Sequence, residues 1–208
     1  RQMCIRDRNA AHYKLFMLLG IILWTFFAEA TTLGMNGFIG NYTLIRKVYL
    51  PRIILVAAAV SSAFVGLLFN MVVFVVFAAL DGVDWNFRML WFFPLLLALY
   101  LLVLGIGLIL SILVVKIRDM INLWEVAVQL GFWLTPVMYP MSNVPEKFRF
   151  LVFLNPMSGV LEYSRYFLVG IGSVTNIGYL YVVGISLFLL GAGVLVFKWK
   201  EAEMVEDL

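Results

Sequence analysis

IILVAAAVSSAFVGLLFNMVVFVVFAAL, residues Ile53–Leu80, runs for 28 positions without a single charge. As a helix it rises about 42 Å, more than the roughly 20 apolar residues a bilayer core of about 30 Å requires. Four more runs have the same character: 13–35, broken by Glu29; 89–115; 121–138, with Glu125 near its start; and 178–197. In lipid an unpaired peptide group is too costly, which leaves helices or a closed barrel, and the alternation of barrel strands is absent. Across all 208 residues, 64% are hydrophobic, 13% are charged and the mean hydropathy is +1.02. A soluble domain is nearer half apolar and a quarter charged. The expected fold class is therefore an all-α integral membrane protein, a bundle of five transmembrane helices.

The remaining composition excludes several functions. A net charge of +3 without a basic stripe speaks against nucleic acid. One cysteine, Cys4, rules out an internal disulfide or cysteine cluster, and one histidine, His12, builds no metal site alone. No P-loop, G-x-S-x-G, H-E-x-x-H or paired-carboxylate constellation is present, so the chain is not expected to be an enzyme or to carry a cofactor. The opening octet RQMCIRDR is polar and unconnected with the apolar pattern, so residues 1–10 are set apart as a non-native or disordered extension. Residues 11–200 form the membrane domain and 201–208 an acidic tail.

Lys and Arg at positions 46, 47, 52, 116, 118, 198 and 200 fall on one side of the membrane, and those at 14, 88, 147, 149 and 165 on the other. The first set is larger and hugs the span ends, which makes it cytoplasmic and places the C-terminus there. Between the spans, 41–50 (NYTLIRKVYL) offers Asn41 as a helix cap, Tyr42, Ile45, Val48 and Tyr49 on one face, and Arg46 and Lys47 off it. It is a short amphipathic helix, either a basic anchor for anionic lipid or a docking handle for a cytoplasmic partner. Segment 140–176 is apolar in pieces too short to cross, and Pro136, Pro140, Pro145 and Pro156 break the helices around it. A pair of short helices re-entering the membrane from outside fits it best, with a plain interfacial loop as the alternative.

Ala58, Ser62 and Gly66, like Gly105 and Gly107, are small residues that let helices approach closely. Glu29 and Glu125 are ionisable groups within spans, which usually face a bundle interior or a wet path. Trp24, Phe27 and Trp133 belong to aromatic clusters; such residues form interfacial belts or, alternatively, offer flat apolar faces to sugar rings.

The sequence also resembles a known family. Leu23, Trp24, Phe26 and Phe27, followed by Asn41, Leu44 through Tyr49, Pro51 and Arg52, are similar to the second span and cytoplasmic loop of type-2 ABC exporter permeases for O-antigen, capsule and teichoic acid. VKIRD (115–119), FWLTPVMYP (132–140), VPEK (144–147) and LNPM (154–157), then Glu162 and Arg165, continue the likeness in order. The resemblance implies six spans in the intact protein, so that the N-terminal segment and first span are lacking here. It implies a coupling helix at Asn41, Leu44, Ile45, Arg46, Lys47, Tyr49 and Arg52. It implies external gate helices over 140–172, with Pro136, Tyr139, Pro140, Pro145, Asn155, Pro156, Glu162 and Arg165 at the gate. The substrate path would draw on Trp24, Phe27, Glu29 and Trp133. The implied partners are an ABC ATPase subunit that binds ATP and Mg, a second copy of the chain, membrane lipid and a lipid-linked glycan. The implied location is the bacterial cytoplasmic membrane. Alternatives are a type-2 permease for a drug or other lipid, and a non-transport membrane protein of polysaccharide synthesis.

Overall fold

The computed structural model describes residues 3–40, 51–83, 86–117, 119–172 and 175–200. Among them all regular structure is helical: α1 (Met3–Ile39), α2 (Ile53–Leu80), α3 (Phe92–Lys116), α4 (Met120–Leu134), α5 (Glu146–Leu154), α6 (Pro156–Leu168) and α7 (Asn176–Lys200). Single 3-10 turns stand at Phe87–Trp91 and Met141–Asn143. Four segments are long and apolar enough to cross a membrane: Tyr13–Gly37, Ile53–Leu80, Phe87–Lys116 and Asn176–Lys200. The backbone of α1 begins at Met3 and so passes through most of the polar octet.

The fourth expected span, 121–138, comes out differently. α4 has only 15 residues, about 22 Å at 1.5 Å per residue, short of the hydrocarbon thickness. It stops because Pro136 has no N–H and forces its predecessor out of the α region; Thr135 is extended at φ −89°, ψ 141°. The all-α membrane bundle stands, with four helices long enough to span and α4 falling short of a fifth among the described residues.

α3 is the central post. Of its most apolar stretch 61% is buried, against 22% for α2 and for α7, so the latter two lie at the rim with their outward faces available to lipid. Phe69, Val72 and Phe77 on α2 and Phe188 and Leu195 on α7 are accordingly exposed. Leu95, Leu99, Leu102 and Val103 of α3 pack with Leu19, Leu23 and Phe26 of α1, Val60 and Leu67 of α2, and Leu161 of α6 in one continuous core. Two helix crossings depend on absent side chains. A Cβ on Gly105 would stand 2.6 Å from the Leu189 carbonyl, and one on Gly193 would stand 2.6 Å from the Gly105 carbonyl oxygen. α3 and α7 thus meet backbone to backbone.

The 140–176 stretch contains the two short helices expected of it. Asn155 ends α5 and begins α6: its Oδ1 accepts from Met157 N at 3.0 Å, and Pro156 fills the first turn. α6 then turns back into the bundle, burying Met157, Val160, Leu161, Tyr163 and Phe167.

Candidate functional site

The chain between α4 and α5 is irregular yet buried. Thr135 and Val137 are fully inaccessible. Irregular backbone at membrane depth survives only where protein or water satisfies it, and here side chains supply most of the donors. Tyr139 Oη lies 3.2 Å from the Trp133 carbonyl and 3.3 Å from that of Leu134. Val137 N donates to the Thr135 carbonyl at 2.7 Å. Arg165 reaches across from α6: Nη1 donates to the Pro136 carbonyl at 2.7 Å and Nη2 to that of Val137 at 2.5 Å. Tyr13 Oη, on α1, donates to the Met138 carbonyl at 3.1 Å. Asn155 Nδ2 donates to Thr135 Oγ1 at 2.9 Å. Six consecutive carbonyls, 133 to 138, are thus served by five donors, the single Tyr139 hydroxyl being shared between the first two. The Pro136 and Val137 carbonyls accept in buried bonds, and left bare each would cost about 1–3 kcal/mol.

Arg165 is 1% exposed. Its guanidinium carbon stands 3.5 Å from the centroid of the Phe16 ring, a cation–π contact. α1 makes room for it at Gly20, where a Cβ would lie 2.5 Å from the Val137 oxygen and 2.6 Å from Arg165 Nη2. Beside this clamp is a cavity of about 520 Å³ walled by Arg149, Glu162, Arg165, Tyr163 and Phe16.

Of the expected gate residues, Pro136, Tyr139, Asn155 and Arg165 converge on the break, Pro156 opens α6 beside Asn155, and Pro140 follows the break. Glu162 faces the adjoining cavity, and Pro145 caps the start of α5. Of the expected path residues, Trp24 and Phe27 turn inward. Trp24 packs edge-on against Phe132, Phe27 lies 6.5 Å from Trp124, and Trp124 Nε1 donates to Thr31 Oγ1 at 3.1 Å. Glu29 and Trp133 lie instead on open faces, Trp133 being 72% exposed. Of the coupling residues, Asn41, Leu44, Ile45, Arg46, Lys47 and Tyr49 lie outside the described residues. Arg52 stands at the start of α2.

A second feature emerges from these contacts. Tyr13 meets Met138, Trp24 meets Phe132, and Phe27 and Thr31 meet Trp124, so α1 and α4 run antiparallel. At about 100° per residue, Thr25, Glu29, Thr32 and Asn36 lie about 130° round α1 from that contact line. Asn122, Glu125, Gln129 and Trp133 lie about 120° round α4 from it, in the same rotational sense. For antiparallel helices the same sense brings both stripes to one side. Thr25, Glu29, Asn122, Glu125 and Gln129 are all exposed there. The other flank of α4 is apolar, with Leu123, Leu130 and Leu134 exposed. The i, i+4 polar spacing of 25/29 and 125/129 is visible in the sequence; that Gly20, Tyr13 and Thr135 serve the break is not. Among the described residues no three His, Cys, Asp or Glu side chains gather where a metal ion could be held.

Comparison with known proteins agrees with this architecture. A model of the ABC-2 type transporter family matches residues 5–169. Two Klebsiella pneumoniae proteins named O-antigen export system permease protein RfbA are each 27% identical over 197 residues, covering 93% of this chain and 76% of theirs. A Myxococcus xanthus protein of the same name is 22% identical over 207 residues, covering 98% of this chain and 79% of its own length.

Proposed function

Since this chain belongs to the ABC-2 type transporter family, we propose that it is the permease of an ATP-driven exporter that carries a lipid-linked polysaccharide across the bacterial cytoplasmic membrane. The observation that carries the reading is the shared polar face of α1 and α4. A carboxylate facing hydrocarbon is costly, and intramembrane acids face water or a partner. Glu29, Glu125, Asn122 and Gln129 on one open side support a wet path there. A second copy related by a two-fold axis presents the same stripe in return, and the two panels enclose a channel with hydroxyls, amides and the Trp133 ring on its wall. Sugar hydroxyls suit such a lining. The relatives' names point the same way, toward an O-antigen.

In this reading the chain does no covalent chemistry. ATP closes two separate ATPase subunits, and their movement is passed through 41–50 to the spans. The panels part, and a glycan on a polyprenyl pyrophosphate carrier enters. The cytoplasmic side carries Lys198, Lys200 and the C-terminus, and α5 and α6 dip in from outside. The test is reconstitution with the partner ATPase in proteoliposomes, following ATP-dependent transfer of lipid-linked O-antigen. Arg46→Glu with Lys47→Glu is expected to abolish transfer and co-purification of the ATPase. Transfer at the wild-type rate by that double variant would remove the coupling assignment. ATP-dependent movement of a drug without any glycan would favour the alternative permease reading.

A further inference from the structure

We propose that Arg165 is a positioning residue for the exporter's outer mouth: its guanidinium sets the direction in which the chain leaves α4, and hence where Trp133 and Tyr139 stand. The proposal rests on the export reading above, but its geometry does not. Pro136 can only end a helix; it supplies no donor and chooses no exit direction. The direction is chosen by what receives the next carbonyls, and Arg165 receives two in succession, those of Pro136 and Val137. A planar fork can bridge adjacent acceptors in one orientation, which a single ammonium cannot reproduce. The fork is itself held, by the Phe16 ring on one face and by the buried body of α6 beneath it. Asn155, from the same helix, fixes Thr135 at the near end of the break. The break is thus carried by α6 as one body, and Trp133 is tied to it through Tyr139.

Packing alone does not account for an arginine at this place. Its Nε is buried with no hydrogen-bond partner, and apolar replacements of buried charges commonly leave a protein as stable or more so. What an apolar side chain lacks is the two-carbonyl grip.

The experiment compares Arg165→Lys and Arg165→Gln in the assembled exporter, normalised to membrane abundance. A positioning role predicts roughly a tenfold or greater loss of export rate in both, since small misplacements at a distance carry costs of this order. Export by Arg165→Lys at the wild-type level would mean that charge alone is used and would overturn the proposal. The rescue is geometric: Thr135→Cys and Asn155→Cys, in a Cys4→Ser background, are bridged by a short bis-methanethiosulfonate. Bridging is expected to restore export to the Arg165→Gln protein, relative to the same bridged pair with Arg165 intact. A bridged protein that stays inactive would point to direct contact of Arg165 with substrate and overturn the assignment. A readout free of export is the labelling rate of Trp133→Cys by an impermeant maleimide, expected to change several-fold on Arg165→Gln. An unchanged rate counts against the clamp. A changed rate in a protein that moves no glycan counts against the export reading alone.

Discussion

Arg165 shows how one residue can decide a local structure from a distance. Burying a guanidinium is unfavourable unless its donors are used, and two of them are used on carbonyls that would otherwise be bare. Gly20 is the other half of the arrangement. In an ordinary helix Gly→Ala gains about 1 kcal/mol. At position 20 the new methyl would sit on the Val137 oxygen and the Arg165 guanidinium, and overpacking of this kind costs about 1–3 kcal/mol. Gly20→Ala is therefore expected to lower the thermal unfolding midpoint of the detergent-solubilised protein. Tyr13→Phe, which loses only one hydroxyl bond to Met138, is expected to cost about 1 kcal/mol and to lower it less. A midpoint raised by Gly20→Ala would mean that the clamp does not press against α1.

At the scale of elements, the helix pairs differ in what holds them. α3 and α7 cross at Gly105 and Gly193 with no side chain between them. α7 also holds Gly184 and Gly191, where an added Cβ meets nothing within 4 Å. One helix therefore contains both kinds of glycine. Gly193→Ala is expected to destabilise by pushing the crossing apart, whereas Gly184→Ala and Gly191→Ala are expected to be neutral or stabilising by up to about 1 kcal/mol. Thermal unfolding of the three variants side by side checks this, and like behaviour of all three would refute the crossing. α4 is held differently. It buries no residue fully, lies against α1 through Trp124 and Phe132, and is anchored at its outer end by the clamp.

For the whole molecule the question is which surface meets lipid and which meets water. Single cysteines at Gln129 and Leu130, in a Cys4→Ser background, separate the two flanks of α4. The exporter reading predicts fast labelling at 129 and slow labelling at 130 by a water-soluble thiol reagent. Equal rates would mean that no wet path runs along this face. Glu125→Leu with Gln129→Leu is expected to reduce export while leaving membrane abundance at or above the wild-type level, since both new side chains suit lipid. A fall in abundance matching the fall in export would make the stripe a packing surface instead.

The residue order alone determined that the chain lives in lipid as helices, because transfer from water is a sum over neighbours in sequence and Ile53–Leu80 needs no partner to make it favourable. It also marked Pro136, Pro140, Pro145 and Pro156 as helix breakers and the two short helices among them, all consequences of backbone chemistry within a few positions. Counting apolar residues overshot at 121–138, since hydropathy does not register that a proline ends the helix after Leu134. What only tertiary structure decided are the meetings of residues far apart in the chain: Tyr13 with Met138, Arg165 with Val137, and the facing of Glu29 and Glu125 to one side. Those depend on which helices lie side by side and in which direction, and no sum over local neighbours contains that information.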